Sequence, residues 1–277
     1  MPTARRATAR RITARRVTGR RVGVSADPLK SLISTLYGDG EQGGFFVSRP
    51  VVSGQQVLFQ DEAGTVPVTA DGDPVGRWVD LSGNGKHATQ SVSGARPVYR
   101  TDGTLHWLEF DGVSQHLLTA SVTAGGDKVQ VFCGITKLSD SPLGVVVNHN
   151  STGNSSFRLS APEGSGAYRA TSRGTSPVDV AIAAPAPTTD VLTMQSDIRA
   201  SLISLRRNGA AAIENTADQG DADYATSALG IGSRSTGADL HFNGEIYGLA
   251  VRFGPNLSPN TIVSAEEYIA ALTGVTL

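Results

Sequence analysis

Cysteine, aromatic residues and charged residues are all scarce in this sequence. The single cysteine, Cys133, excludes an intrachain disulfide. Aromatic residues make up 6% of the chain and charged residues 18%, whereas glycine occurs 32 times. This turn-rich composition favours a β sandwich over a helical bundle or a disordered chain. Cys133 lies in KVQVFCGITK, whose apolar residues alternate, and the pattern predicts a small buried side chain on one face of a strand.

Long hydrophobic runs and enzyme signatures are missing as well. No apolar run approaches the ~18 residues that span a bilayer, so we expect no membrane insertion. The N-terminus lacks the apolar core of a secretory signal. There is no G-x-S-x-G, P-loop or dinucleotide fingerprint, and the five histidines have no metal-ligand spacing. We therefore expect no cofactor, and no catalytic site of these classes.

Acidic residues are absent before Asp27, where arginine dominates instead. Residues 3–22 read TARRATARRITARRVTGRRV, a five-residue unit written four times. Its arginines are Arg5, Arg6, Arg10, Arg11, Arg15, Arg16, Arg20 and Arg21. A five-residue step turns ~140° around a helix and changes face in a strand, so no regular conformation presents a constant arginine edge. We expect an extended arm that takes its shape from the partner it binds.

The arm gives the chain a strong charge asymmetry. It holds 8 of the 24 basic residues, so the remainder has 16 basic against 25 acidic residues, although the whole chain has a net charge of −1. Such an arm can bind an acidic protein surface or nucleic-acid phosphates. It has no aromatic residue for base stacking, so its contact with DNA would be non-specific.

Three regions follow one another: the arm at 1–24, a linking helix at 25–38 and a β-rich body at 39–277. In SADPLKSLISTLYGDG, Ser25 or Asp27 can cap a helix whose leucines and isoleucine share one face. That helix either docks on the body or packs against copies of itself. At the C-terminus Ser258, Pro259 and Gly274 delimit a second helix, which we expect to cover an end or an edge of the body.

The body consists of many apolar, often alternating segments separated by glycine-rich turns. Strand candidates include TLHWLEF, KVQVFCGITK, LGVVVNH, SSFRLSA, AYRATSR and DVLTMQS. ASLISLRRNGAAAIE predicts a hairpin that turns at Asn208-Gly209, the preferred pair for a type I′ turn. The predicted fold class is therefore mostly β, a two-sheet antiparallel sandwich of the jelly-roll type.

A distinctive combination of motifs runs through the body. It comprises YGDGEQGGFF, WVDLSGNGKHATQ, ARPVYRTDG, WLEFDG, and a final GEIYG strand followed by a helix. These motifs resemble the concanavalin A-like, laminin G-type jelly-roll domains of structural proteins in tailed bacteriophages. The resemblance covers roughly residues 37–277 and excludes the arm. It implies a concanavalin A-like sandwich and a tail, fibre or capsid-surface role. It also implies either glycan binding, in some members through calcium, or a structural role alone.

A virion role would make the arm an anchor. We expect it to bind capsid or tail proteins, with the body displayed on the particle after assembly in the host cytoplasm. A homo-oligomer, such as the trimer common in phage fibres, would bring several arms together and would require an acidic surface to receive them. Packaged DNA is the alternative partner. We expect the body to adhere to surface glycans; the alternatives are a purely structural stabilising protein and a glycoside hydrolase.

The hydrolase alternative depends on an E-x-D-x-E pattern that some relatives with this sandwich carry on one strand face. LEFDGVS supplies Glu109 and Asp111, but Val113 occupies the third position. A turn at Asp111-Gly112, with Glu109 exposed or capping nearby amides, is the simpler interpretation. No residue is therefore assigned a catalytic role.

Two acidic loops have weaker ligand signals. Asp218, Asp221 and Asp223 in DQGDADY are candidate calcium ligands, although the spacing is not that of an EF-hand and a solvated loop fits better. Asp80, which precedes the SGNG turn, is expected to organise its own loop by accepting backbone N–H bonds.

Sugar-contacting side chains are the least defined part of the sequence. Trp78, Trp107 and Tyr99 could stack on sugar rings, but a tryptophan in an alternating strand more often belongs to the core. The polar segment Asn148–Asn150 could place polar groups at an edge of the sandwich. The glycan-binding residues stay unassigned from the sequence.

Overall fold

Strands dominate the described part of the chain, as the alternating sequence predicts. A computed structural model describes residues 27–151, 153–164 and 166–277. The eight arginines of the arm lie outside the described residues, so the extended arm and its anchoring role stay predictions. Every strand pair among the described residues is antiparallel.

The elements of the N-terminal half are the helix α1 (Pro28–Tyr37), a 3₁₀ turn (Ser93–Ala95), and the strands β1 (Gln42–Val47), β2 (Val51–Val52), β3 (Gln55–Gln56), β4 (Leu58–Phe59), β5 (Arg77–Trp78), β6 (Ala88–Thr89), β7 (Val98–Thr101), β8 (His106–Asp111), β9 (Leu117–Thr119), β10 (Val122–Thr123) and β11 (Lys128–Lys137). The C-terminal half adds β12 (Val145–His149), β13 (Ser156–Glu163), β14 (Ala167–Arg173), β15 (Pro177–Ala183), β16 (Thr188–Asp197), β17 (Leu202–Arg207), β18 (Ile213–Asn215), β19 (Thr226–Ser227), β20 (Leu229–Ile231), β21 (Asn243–Phe253) and the helix α2 (Pro259–Thr273).

Two large sheets face each other. One has eight strands in the order β18-β17-β16-β11-β21-β8-β7, with β1 beside the second half of β21. The other has nine strands in the order β15-β14-β13-β12-β20-β9-β6-β5-β4. The predicted fold class, a mostly β two-sheet antiparallel sandwich of the jelly-roll type, is therefore confirmed.

The core lies between the two large sheets. Val131 and Cys133 of β11 project inward from the eight-stranded sheet, and Phe157 and Tyr168 project from the nine-stranded sheet; all four are buried. Burial raises the pKa of the Cys133 thiol well above its ordinary value. Cys133 is thus the small buried core residue that its alternating strand predicts.

Helix α1 docks on the sandwich. The Asp27 side chain caps it by accepting a hydrogen bond from the Leu29 amide (3.0 Å). Leu32 and Leu36 are buried beneath it. The Arg252 guanidinium donates to the Leu36 carbonyl (2.6 Å) and so ties the end of the helix to β21. Of the two arrangements left open by the sequence, the structure shows docking on the body.

Helix α2 begins and ends where the sequence predicts, but its position corrects one expectation. Its Ser258 cap accepts from the Thr261 amide, and Gly274 ends it with a positive φ of 75°. It does not cover an end or an edge, since it lies across the outer face of the eight-stranded sheet, over β11, β16 and β21. Gly134 permits this approach, because a Cβ there would lie 2.4 Å from Thr273 Cγ2. These strands carry small and apolar residues on both faces, a feature that simple alternation does not show.

The predicted type I′ turn is also present. Asn208 and Gly209 have φ values of 49° and 68°, and the Ala210 amide donates to the Arg207 carbonyl (3.0 Å). The strands that flank it, β17 and β18, pair as a hairpin. Among the described residues, no helix is long and apolar enough to cross a bilayer.

Candidate functional site

An open groove of about 160 Å³ lies on the outer face of the nine-stranded sheet. Strand pairing builds it, since Arg158 of β13 lies opposite both Asn148 of β12 and Thr171 of β14. Arg158 alternates with buried Phe157 and Leu159 and so projects outward, as do the residues opposite it. The polar lining includes Asn148, Asn150, Arg158, Thr171, Arg173 and Arg234. We call this feature the arginine groove.

The loop between β20 and β21 closes one side of the arginine groove. Asn148 accepts at Oδ1 from the Ser235 amide (3.0 Å), and its Nδ2 donates to the Phe157 carbonyl (2.7 Å). The Ser151 amide donates to the Ser235 hydroxyl (2.9 Å). Asn148 is therefore a positioning residue for the loop that carries Arg234.

The three arginines of the groove are unequally paired. The Arg173 side chain has no hydrogen bond or ion pair with any residue that the structure describes. Arg158 pairs with Glu163 at 3.2 Å, but its Nε is buried without a partner. Arg234 has one ion pair, 3.5 Å from Asp239. Buried donors without partners are rare because they cost free energy, so the Nε atoms of Arg158 and Arg173 are available to water or a ligand.

The polar segment Asn148–Asn150 divides between the two faces of β12 and the loop after it. Asn148 and Asn150 line the arginine groove. The groove lies on the outer face and not at an edge as the sequence suggested, because β12 is an interior strand of the nine-stranded sheet. His149 points into the core, where its ring lies 4.9 Å from that of Phe253 and stacks on that of Phe157. Burial lowers the pKa of His149 to about 4, so it is neutral at physiological pH and unavailable as an external ligand.

The residues of the hydrolase pattern have structural partners. Asp111 Oδ1 accepts from the amides of Val113, Ser114 and Gln115 at 2.8–3.0 Å. Burial would raise the pKa of Asp111, but these hydrogen bonds outweigh it and lower the pKa. A carboxylate with a lowered pKa is a poor general acid at neutral pH. The hydrogen bonds to the three amides agree with the turn predicted at Asp111-Gly112.

Glu109 has a second carboxylate close by. Glu245 of β21 lies directly opposite it on the outer face of the eight-stranded sheet. The Arg100 guanidinium is 3.2 Å from Glu109, and the Tyr247 hydroxyl donates to Glu245 (2.9 Å). The third carboxylate that the hydrolase pattern lacks at Val113 is therefore supplied by the neighbouring strand, and both Glu109 and Glu245 are held by neighbouring side chains.

The aromatic candidates lie mainly in the interior. Trp78 is fully buried and donates from Nε1 to the Val47 carbonyl (2.9 Å), and Tyr99 is buried as well. Trp107 is half-buried on the outer face of the eight-stranded sheet, 5.7 Å from the ring of Tyr247. Stacking on sugar by Trp78 and Tyr99 is therefore contradicted, because their rings have no open face.

Asp80 organises its loop as predicted. Its carboxylate accepts from the amides of Phe45, Ser82 and Lys86 at 2.8–2.9 Å. The His87 ring accepts in turn from the Asp80 amide (3.0 Å). The motif WVDLSGNGKHATQ therefore acts as a folding element that joins the loop to β1.

The candidate calcium loop is occupied by an arginine. Arg199 lies 3.0 Å from Asp221 and 2.8 Å from Asp223, and Asp218 accepts from the Gly220 amide (2.8 Å). No group of three or more His, Cys, Asp or Glu side chains among the described residues could hold a metal ion. The cation that neutralises Asp221 and Asp223 is a guanidinium of the same chain.

A buried ionic cluster was not foreseen from the sequence. Asp190 accepts from Tyr168, Arg207 and Asn208 at 2.6–2.7 Å. Burial would raise its pKa, but the hydrogen bonds outweigh this and lower it. Each of these partners comes from a different strand or turn, so only the fold brings them together, and their mutual pairing indicates a structural role.

Comparisons with known proteins establish the fold class. No family model matches the chain, and no curated protein matches it in sequence. Domain 4 of AbnA, a GH43 extracellular arabinanase from Geobacillus stearothermophilus solved with arabinotriose, is 16% identical with a TM-score of 0.55, over 68% of this chain and 91% of that one. The receptor-binding domain of botulinum neurotoxin mosaic serotype C/D is 10% identical with a TM-score of 0.54, over 82% of this chain and 51% of that one.

These likenesses define a fold class, the jelly-roll sandwich. The chain matches about half the length of the neurotoxin domain. At identities this low the shared feature is the fold, and the ligands of those proteins are their own.

Proposed function

We propose that this chain is a virion structural protein of a tailed bacteriophage whose sandwich binds surface glycans without cleaving them. The observation that carries the glycan part is the arginine groove, an open polar depression in which the Arg173 side chain has no partner among the described residues. Sugar hydroxyls and acidic groups can satisfy such donors. The jelly-roll fold supports the proposal, because a domain of the same fold was solved with arabinotriose.

The size of the groove limits what it can hold. Its volume of about 160 Å³ is below the ~300–1,000 Å³ of drug-sized ligand pockets. It therefore fits one terminal sugar residue better than the middle of a long chain. Weak binding at one such site becomes strong adhesion when many copies are displayed on one particle.

A glycan array probed with the full chain, followed by calorimetric titration of the hits, tests this function. Thr171→Tyr fills the groove from an outward strand position and should abolish binding. Ala181→Tyr is the matched control, because Ala181 is exposed on the neighbouring strand of the same face and does not line the groove. If the array shows no hit, the purely structural role replaces adhesion. If Thr171→Tyr and Ala181→Tyr bind the glycan with equal affinity, the glycan site lies outside the arginine groove.

The virion part of the proposal is supported by the motif resemblance and by the composition of the arm. Eight arginines in an acid-free segment supply many charge-assisted contacts to an acidic shell or tail protein. Deleting residues 1–24 should abolish incorporation into particles, and changing the eight arginines to glutamine should do the same while keeping the length. Incorporation of the glutamine variant at wild-type copy number would contradict the anchor.

Imaging of intact particles would locate the protein. Regular density on the capsid would indicate a head-decoration or head-fibre role, and density on the tail would indicate a tail appendage. If the protein is absent from particles, the virion role is wrong and DNA becomes the expected partner of the arm.

A further inference from the structure

The arginine groove is electropositive although the body of the protein is acidic. Outside the arm the chain has 16 basic against 25 acidic residues. The groove lining nevertheless contains three arginines and no Asp or Glu. Charge of one sign gathered in a depression raises the local concentration of ligands of the opposite sign.

Strand β14, which supplies Arg173, also supplies a second arginine, and this one is paired with a carboxylate. Arg169 is four residues earlier on the same outward face of β14, where it pairs with Asp179 of β15 at 3.3 Å. Arg173 lies opposite Pro177 of β15, and proline offers no carboxylate. The sheet thus pairs Arg169 outside the groove with a carboxylate, whereas Arg173 inside it has no counter-ion in the part of the chain that the structure describes.

We infer that the arginine groove binds acidic saccharides, with Arg173 and Arg234 holding the anionic group of a terminal sugar. This inference rests on the proposed glycan-binding function and names the substrate class of the same site. The planar guanidinium fork matches a carboxylate or sulfate through two parallel N–H···O bonds. The Thr171 hydroxyl, which has no partner among the described residues, is available to a neighbouring sugar hydroxyl.

The role of Arg158 differs from that of the other two. Its Nη2 is bonded to Glu163, so its charge is partly neutralised, and only its Nε lacks a partner. Arg158 therefore lines the floor of the groove. Arg173, which has no ion pair with a described residue, and Arg234, whose pair with the exposed Asp239 is longer at 3.5 Å, carry the anion selectivity. A neutral sugar would leave the charge of Arg173 without a counter-ion and should bind less tightly.

The test compares matched ligands and matched variants of the full chain by calorimetric titration. The ligands are an oligosaccharide of uronic acid, its carboxyl-reduced neutral counterpart, and a sulfated oligosaccharide of the same length. We expect the uronic or the sulfated ligand to bind roughly 10- to 100-fold more tightly than the neutral one. The two acidic ligands distinguish a carboxylate from a sulfate. Raising the salt concentration should weaken binding of the acidic ligand and leave the neutral ligand nearly unchanged.

The variants locate the effect. Arg173→Gln and Arg234→Gln should each reduce affinity for the acidic ligand roughly 10-fold or more, whereas Arg169→Gln should change it less than about twofold. Arg173→Lys keeps the charge but loses the two parallel donors of the guanidinium. Its affinity for the acidic ligand should lie between those of Arg173→Gln and Arg169→Gln. Thermal unfolding of each variant checks that it is folded.

Three outcomes would overturn the inference. If the neutral ligand binds as tightly as the acidic one, glycan binding stands and acid selectivity is wrong. If Arg169→Gln weakens binding as much as Arg173→Gln, the anion lies outside the groove. If no saccharide binds, the proposed function fails together with the inference.

Discussion

The two sheets of the sandwich differ in what covers their outer faces. Helix α2 lies across β11, β16 and β21, and nine of the ten residues of β11 are buried. No helix of the described residues lies on β13, β14 or β15, and β14 alternates strictly between buried and half-buried positions. Strict alternation in β14 therefore marks a strand whose outer face is open, and that face carries the arginine groove.

The covered and open faces also use arginine differently. Arg252 is 3% exposed beneath α1 and bonds to Leu36, Gln130, Pro255 and Glu41. Arg173 on the open face bonds to none of the described residues. A charge under a helix must be fully paired because desolvation is costly. A charge on an open face stays hydrated, so it needs no protein partner and can bind a ligand.

The largest expected loss of stability comes from replacing Arg252, the arginine beneath α1. Arg252→Met removes four hydrogen bonds and leaves the Glu41 carboxylate, 2.7 Å away, without the guanidinium. We expect the free energy of unfolding to fall by about 3–5 kcal/mol. Arg173→Met, the matched change on the open face, should alter it by less than about 0.5 kcal/mol. Urea unfolding of both variants measures the difference, and equal losses would show that the two faces do not differ in this way.

The next largest expected effect is a loss of stability at acidic pH, and it comes from β12. Two successive residues of this strand project from opposite faces of the sheet. Asn148 lines the groove, whereas His149 is buried with its pKa lowered to about 4. The unfolded chain binds a proton at this histidine below pH ~6.5, and the folded chain does so only near pH 4, so stability falls as the pH falls through this window. The loss at the acidic end is about 3 kcal/mol.

His149→Leu should remove this part of the acid sensitivity. Unfolding measured between pH 7 and pH 4 should show a smaller loss in the variant than in the parent chain. Both chains keep the other titrating groups, so the difference between their slopes reports His149 alone. Identical slopes would mean that His149 takes up its proton without disturbing the core.

Much of the fold could be predicted from the sequence because local signals agree with one another. The Asp27 and Ser258 caps, the Asn208-Gly209 turn and the alternating strands are each determined within a few residues. The position of α2 was not predictable in the same way. It depends on Gly134 and on apolar residues that project from both faces of one sheet, and periodicity cannot assign those residues to a partner.

The candidate site was only partly predictable. Asn148 and Asn150 stood out as a polar segment, but Arg158, Arg173 and Arg234 did not. Each arginine occupies a polar position beside buried residues, which is a visible signal for a solvent-facing side chain. Their convergence depends on strand register and on the Asn148–Ser235 hydrogen bond, neither of which can be read from one sequence.

A smaller effect should follow from crowding the interface beneath α2. A Cβ on Gly134 would lie 2.4 Å from Thr273 Cγ2 and 3.0 Å from Ile269 Cγ2. Gly134→Ala should therefore lower the free energy of unfolding by about 1–2 kcal/mol. The double variant with Thr273→Ser removes the clashing methyl and keeps the hydroxyl that donates to the Ala270 carbonyl, so it should recover most of the loss. Full additivity of the two changes would mean that α2 packs elsewhere.

The smallest effect is expected at the paired carboxylates of the open end of the eight-stranded sheet. Glu245→Gln removes a like charge opposite Glu109 and should raise stability by a few tenths of a kcal/mol, since such cross-strand pairs repel. Glu109→Gln leaves Arg100 with Asp71 at 3.6 Å and should lower stability by less than about 1 kcal/mol. Neither change should alter glycan binding, because neither residue lines the arginine groove. The same two variants test the hydrolase alternative: if the parent chain releases reducing ends from a polysaccharide and both variants lose this activity, these carboxylates form a catalytic pair and the second face is also functional.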